Sequence, residues 1–335
     1  MESRRSTIDR MVVVGSVMLD LLIAPLARIP RWDENAFVEN VRLRVGGLAA
    51  NTALCLAHLK VPVDLCARIG NDSHGEMIFQ CLQRAGVNCR YLRRDTRRST
   101  SLAFGFVGEK GRRFFVVSLG ANAELGKGDV QRIDWSDVGF LHLGGFFHLP
   151  RLEPALPTLL PALRRRGIRI SLDLAWDPYG RWMRSLRALL PHVDFFFPNE
   201  KQTQRLTRTR GFRQGAQMLR KAGARTVVVK LGARGCYVDG DEWKGVVPAF
   251  PVRAIDTTGA GDVFDAAFLY GWRAGWDLQT CARFANIMAA ASTRAYGATA
   301  ALPTGTVALR WMKKFYGPPM ERSTPPEHHN RRRRG

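Results

Sequence analysis

The chain is predicted to fold as a doubly wound α/β domain, a mostly parallel sheet flanked by helices, with a small β-sheet beside it. Three observations carry this expectation. Short apolar runs rich in valine and isoleucine recur along the 335 residues and alternate with segments of helical spacing, the pattern of a parallel sheet buried between helices. Two stretches of two-residue alternation break that rhythm and suit strands with one wet face. The length supports one large core with an appendage.

The elements follow in order. MVVV, residues 11–14, ends at Gly15 and reads as a buried strand. In AFVENVRLRV, residues 36–45, Phe37, Val41, Leu43 and Val45 alternate as in a half-wet strand. GGLAANTALCLAHLK then turns helical, with Leu48, Thr52, Cys55, Leu56 and Leu59 on one side. Val63 to Ile69 is a second buried strand, followed by GNDSHG and a helix to Gly86. Residues 100–120 read as a hairpin around GEKG. The rhythm resumes with strand 140–146, helix 153–166, strand 168–174, helix 181–190, strand 193–199, helix 213–222 and strand 226–232. No internal repeat of fixed period is present. One domain over 1–317 is expected, with the strands at about 36–45 and 100–120 forming a small sheet beside it, followed by a disordered basic tail, 318–335.

Composition narrows the partners. Lys and Arg number 51 against 29 Asp and Glu, a formal charge of +22. Forty-two of the basic residues are Arg and nine are Lys, scattered along the chain apart from Arg331 to Arg334. Scatter of this kind argues against nucleic-acid binding as the main function, while an anionic substrate would still gain from the field. The six cysteines form no CxxC pair and no His-linked spacing, so they read as buried thiols of a reducing compartment. MVVVGSVMLDLLIAPLA after Arg4 and Arg5 has some features of a signal peptide, but Asp20 interrupts it, and a cytoplasmic protein without a membrane span is expected.

Ligands of such sheets bind at the carboxyl ends of strands. Those loops hold GSVMLD (15–20), Gly46, Gly47 and Asn51, PNE (198–200), KLGARG (230–235) and DTTGAGD (256–262). Glycines, amides and single carboxylates suit a polyhydroxylated ligand and phosphates better than a metal cage or a Ser-His-Asp triad. Gly259 and Gly261 let the backbone approach an anion at a helix N-terminus. Asp262 in the first turn is either a favourable N-terminal charge or a general base for a substrate hydroxyl. No GxxxxGK[ST] loop is present.

RVGGLAANTALCLAHLKVPVDLCARIGND near the start and AIDTTGAGDVFDAAFLYG near the end, with VDFFFPNEKQ, VVVKLGARG and ANIMAAAST, resemble the PfkB carbohydrate kinase family, or ribokinase-like superfamily, over about residues 11–305. The resemblance implies ATP-dependent phosphorylation of a hydroxymethyl group on a small sugar, with Mg²⁺ and often K⁺. Carried onto this chain, it makes Asp262 the base and Gly259, Ala260 and Gly261 the anion hole. Asp20, Gly46, Gly47 and Asn51 become substrate contacts, joined by Asp173 at a strand end. Asn199, Lys230, Gly232, Gly235 and Asn286 fall on the nucleotide side, and Asp256 and Thr258 at the monovalent cation. The small sheet is implied to be a lid that closes over the sugar and mediates a homodimer. Two positions depart from the pattern. Gln202 stands where the family has Glu, and Gly144 where ribokinases proper carry an acid, which counts against ribose. A nucleoside kinase, with Phe37, Phe104 and Phe106 as a purine surface, and a non-catalytic binding homologue are the alternatives. Asp265 reads as an ordinary helix residue.

Overall fold

A computed structural model describes residues 10–26, 28–108 and 113–322. Its strands are β1 (Arg10–Gly15), β2 (Met18–Leu26), β3 (Asn40–Gly46), β4 (Val63–Gly70), β5 (Leu92–Asp95), β6 (Leu102–Gly108), β7 (Arg113–Ser118), β8 (Val138–Gly144), β9 (Arg169–Leu172), β10 (Phe195–Phe196), β11 (Thr226–Lys230), β12 (Cys236–Asp239) and β13 (Lys244–Val247). The α-helices are α1 (Leu48–His58), α2 (Ser73–Arg84), α3 (Lys127–Gln131), α4 (Leu156–Arg165), α5 (Met183–Leu186), α6 (Glu200–Thr207), α7 (Phe212–Lys221), α8 (Ala260–Arg273), α9 (Leu278–Ser292) and α10 (Gly305–Tyr316).

Nine strands form the main sheet in the order β13-β12-β11-β10-β9-β8-β1-β4-β5. From β11 through β5 every pairing is parallel, and β12 and β13 close one edge antiparallel. β1 is buried along its whole length, and its side chains divide by the two-residue period of a strand. Met11 and Val13 join the core under α1, α2, α8, α9 and α10, whereas Val12 and Val14 join the core with α3, α4, α5, α6 and α7. Helices therefore cover both faces, as the apolar runs predicted.

A second sheet of four strands, β3-β2-β6-β7, is the lid. Its centre is β2, which pairs antiparallel with β3 and parallel with β6. This strand is the apolar run that resembled a targeting signal. Asp20 is its third residue, so it belongs to the lid and not to the end of the first core strand. The hairpin expected at 100–120 is present as β6 and β7; the GEKG turn falls outside the described residues apart from Gly108. Sequence reading also overran or missed several elements. The 193–199 strand shrinks to Phe195–Phe196, and the 181–190 helix to Met183–Leu186 plus a 3-10 turn. β5, β12, β13, α6 and α10 went unread. Four-residue strands such as β12 and β13 are too short to show a period.

Met320 and Arg322, expected in the tail, pack back on the body. Met320 N donates to Thr280 Oγ1 at 3.1 Å, and the Arg322 guanidinium lies 3.6 Å over the Trp272 ring. The rest of the tail, 323–335, lies outside the described residues. Among the described residues no helix is long and apolar enough to cross a membrane. All six cysteines are free; Cys55, Cys66, Cys236 and Cys281 are buried as expected, and Cys81 and Cys89 only partly.

Candidate active site

Two chain crossings build the centre of the site at the carboxyl ends of β1 and β8. Gly47 ends the lid strand and turns into α1 with φ 93°, a conformation a side chain resists, and a Cβ there would stand 2.6 Å from Ser16 O. The turn aims Asn51, in the first turns of α1, at the other crossing. There Gly259, φ 74°, caps α8, and Asp262 follows in the first turn. Asn51 Nδ2 donates to Asp262 Oδ2 at 2.7 Å, a contact spanning 211 residues of sequence. Thr52 Oγ1 adds a long bond to Asp262 O at 3.4 Å. Asn51 Oδ1 is buried with no partner, an acceptor open to a ligand hydroxyl.

Asp20 closes the site from the lid. A Cβ on Gly46 would overlap its carboxylate, so only glycine leaves room for it there. Burial, then the nearby Asp256 charge, pushes the Asp20 carboxyl up to about 7. Asp256 itself folds its own loop: Oδ1 accepts from Thr258 N at 2.9 Å and Oδ2 from Gly297 N at 3.2 Å.

Beneath Asp262 lies a charge cluster. Lys230 Nζ, at the end of β11, donates to Asp173 Oδ1 at 3.1 Å and to Asp265 Oδ2 at 3.0 Å, and it lies 3.3 Å from where a Gly261 Cβ would sit. Burial would lower the Lys230 ammonium, but Asp173, Asp265 and Asp262 overturn this and hold it above its usual value. Asp262 is pushed up to about 7, by burial first and then by Asp173, while Asn51 and Lys230 pull it down. Asp265 is raised by burial and lowered by Lys230. His142 is fully buried on β8, with Nδ1 2.9 Å from Ser171 Oγ and Nε2 unpartnered; burial pushes it down to about 4, so it is neutral at pH 7.

The expected site residues thus separate. Asp20, Gly46, Gly47, Asn51, Asp173, Gly259, Gly261 and Asp262 come together. Lys230, expected on the nucleotide side, also reaches this cluster through its side chain. Ala260 N, expected in the anion hole, makes a long bond to Thr257 O at 3.4 Å. Gly232 opens and Gly235 closes a separate 3-10 turn between β11 and β12. Asn286, on α9, donates to Val247 O at 3.2 Å and Pro248 O at 3.0 Å, holding the loop after β13.

Asn199 caps α6, and here the Gln202 departure gains a reason. Asn199 Oδ1 accepts from Gln202 N at 2.9 Å, and Gln202 Oε1 accepts from Asn199 N at 2.8 Å, a reciprocal cap. Gln202 Nε2 also donates to Leu174 O at 2.8 Å, which a carboxylate could not do. Gly144 is likewise explained, since a Cβ there would stand 2.9 Å from Ala49 N. The purine surface is not assembled. Phe104 pairs with Leu21 and Phe106 with Ile23, on the lid face opposite Asp20, and Phe37 is 96 % exposed. Asp265 and His142 were missed because a mid-helix Asp and a strand His carry no motif.

The chain is 29% identical over 316 residues to "Ribokinase" of Arabidopsis thaliana, covering 90% of this chain and 81% of that protein. It is 27% identical to "ATP-dependent ribose-1-phosphate kinase" of Halopiger xanaduensis, covering 91% of this chain and 99% of that one. Among solved structures, Arabidopsis thaliana ribokinase complexed with ribose and ATP superposes with a TM-score of 0.79 at 27% identity, covering 92% of this chain and 99% of that one. The profile of the pfkB family carbohydrate kinases matches residues 9–305, most of the described chain, and the protein therefore belongs to that family of carbohydrate kinases.

Proposed function

We propose that the protein transfers the γ-phosphate of ATP to a hydroxymethyl group of a small sugar, with Asp262 as the general base. The observation that carries this reading is the Asn51 to Asp262 contact, which aims a buried carboxylate beside the glycine-framed start of α8. Asp262 accepts the hydroxyl proton as the substrate oxygen forms its bond to the γ-phosphorus. The bond from that phosphorus to the β,γ-bridging oxygen breaks, and ADP leaves with the electron pair. The backbone at Gly259, Ala260 and Gly261, at a helix N-terminus, is suited to the transferring group's negative charge. Asp20 and the open Asn51 Oδ1 receive sugar hydroxyls. A base whose pKa lies near the working pH is the efficient one, and the elevated Asp262 carboxyl fits that requirement.

Gly232, Gly235 and Asn286 are assigned to the nucleotide side, with Asn199 near the phosphates. Mg²⁺ would neutralise phosphate charge when bound. An ion carried on nucleotide phosphates takes few protein oxygens, and Asn199, at the head of α6, is the residue assigned nearest to it. For K⁺, the loop at Asp256 and Thr258 is the candidate. The lid face opposite Asp20 exposes Val41, Leu43, Phe114 and Val116, which supports a homodimer formed through the lid. The free thiols suit a reducing cytoplasm. The kinase domain is taken to run to about residue 317, before the basic tail.

Asp262→Asn is expected to cut turnover by about 10²–10⁴-fold with ATP binding, measured by calorimetry, retained. Near-normal turnover would remove Asp262 as the base.

A further inference from the structure

The register of the lid puts two arginines on the same side as Asp20. Across β2 and β3, Asp20 lies opposite Arg44 and Leu22 opposite Arg42, and opposed residues share one face of a sheet. That face meets the loop at 296–298. The Arg42 guanidinium sits 3.9 Å over the Tyr296 ring, and Arg44 Cδ lies 3.4 Å from the position of a Gly297 Cβ. The same loop leans on the α8 start: Gly297 N donates to Asp256 Oδ2, and Ala298 packs against Gly259. Arg42 and Arg44 therefore stand between the lid and the loop that leans on the α8 start.

Neither has a carboxylate partner among the described residues; Arg44 donates only to the carbonyl of its neighbour Leu43, at 2.8 Å. Some arginines of this chain are paired, such as Arg68 with Asp95 at 2.9 Å and Arg93 with Asp129 at 3.2 Å; what sets Arg42 and Arg44 apart is their place on the Asp20 face of the lid, against the loop that leans on the α8 start. Position 144, at the end of β8, has no room for an acidic side chain, its Cβ position lying 2.9 Å from Ala49 N. Asp20, raised by burial to about 7, can be present as a neutral acid that donates a hydrogen bond.

We propose that the sugar accepted here carries an anionic group, a phosphate ester or a carboxylate, away from its free hydroxymethyl, and that Arg42 and Arg44 bind that group. This rests on the kinase reading above. Guanidinium pairs suit such anions because their planar donors meet two oxygens at once.

The test uses the full chain with ATP and Mg²⁺ and pairs of sugars that keep a free hydroxymethyl: ribose and ribose 1-phosphate, fructose and fructose 1-phosphate, glucose and gluconate. The anionic member is expected to be preferred, and which one wins identifies phosphate or carboxylate. In Arg42→Gln/Arg44→Gln, KM for that sugar should rise about 10–100-fold, the loss of one or two charge-assisted bonds, with KM for ATP unchanged; the Lys/Lys pair should restore part of it. Preference for the neutral sugars, an unchanged KM for the anionic one, or a rise in KM for ATP instead would overturn the proposal. Calorimetric binding of the same sugars to the Asp262→Asn protein separates the two readings. Absence of turnover with every sugar would sink the kinase reading, while tighter binding of the anionic sugar, lost in the double variant, would still support the arginines. Equal binding of charged and neutral sugars would refute them.

Discussion

The Lys230 ammonium holds two buried carboxylates, Asp173 and Asp265, within 3.1 Å of its nitrogen, and lies close enough to Asp262 to lower its pKa. Removing one partner of a buried pair leaves an uncompensated charge, so Lys230→Met should destabilise the fold by about 3–5 kcal/mol in urea unfolding. The same substitution removes a cation near Asp262. The acid limb of the kcat/KM profile should then move to higher pH, because Asp262 would hold its proton more tightly. A limb that stays in place would leave Lys230 a purely structural residue. The motif containing Lys230 was legible in sequence, but its direction was not: the partner Asp265 is 35 residues away and looks like any polar residue on a helix.

At the scale of elements, the head of α6 depends on Gln202. Its side-chain amide accepts from Asn199 N and donates to Leu174 O, while its backbone N donates to Asn199 Oδ1. Gln202→Glu sets a carboxylate oxygen against that carbonyl, and a buried acceptor left facing an acceptor costs about 1–3 kcal/mol. The deficit, read as a shift in thermal midpoint, should shrink as pH falls and the acid regains a donor; a deficit independent of pH would contradict this account. The lid shows the limit of periodicity. β3 alternates visibly, yet β2, with its buried and half-buried residues, reads as a continuous apolar run. Only its pairing with β3 and β6 reveals it as the lid's centre, and with it the side on which Asp20, Arg42 and Arg44 stand.

The molecule as a whole keeps costly carboxylates at its site. Asp20 and Asp262 are both raised to about 7 from 3.8. The folded state therefore binds their protons more tightly than the unfolded chain does. That contribution is complete below about pH 4 and is lost as pH rises through about 7. Asp20→Asn and Asp262→Asn should accordingly melt higher than the parent at pH 8, with the advantage fading toward pH 4. An advantage that grew on acidification would show that these carboxylates are stabilised in the fold instead. Higher stability together with lost turnover is the usual trade at an active site.

The alternation of apolar runs and helices settled the doubly wound sheet, because burial on both faces is written locally in residue spacing. The two glycine motifs likewise marked the loops of the site, because positive φ and close approach demand glycine. Tertiary structure alone decided the rest. Asn51 and Asp262 meet across 211 residues, Lys230 turns inward to a carboxylate cluster, and the lid register sets Arg42 and Arg44 on the face opposite Phe104 and Phe106. Such contacts depend on which face of which strand meets a distant helix, and no local pattern encodes that.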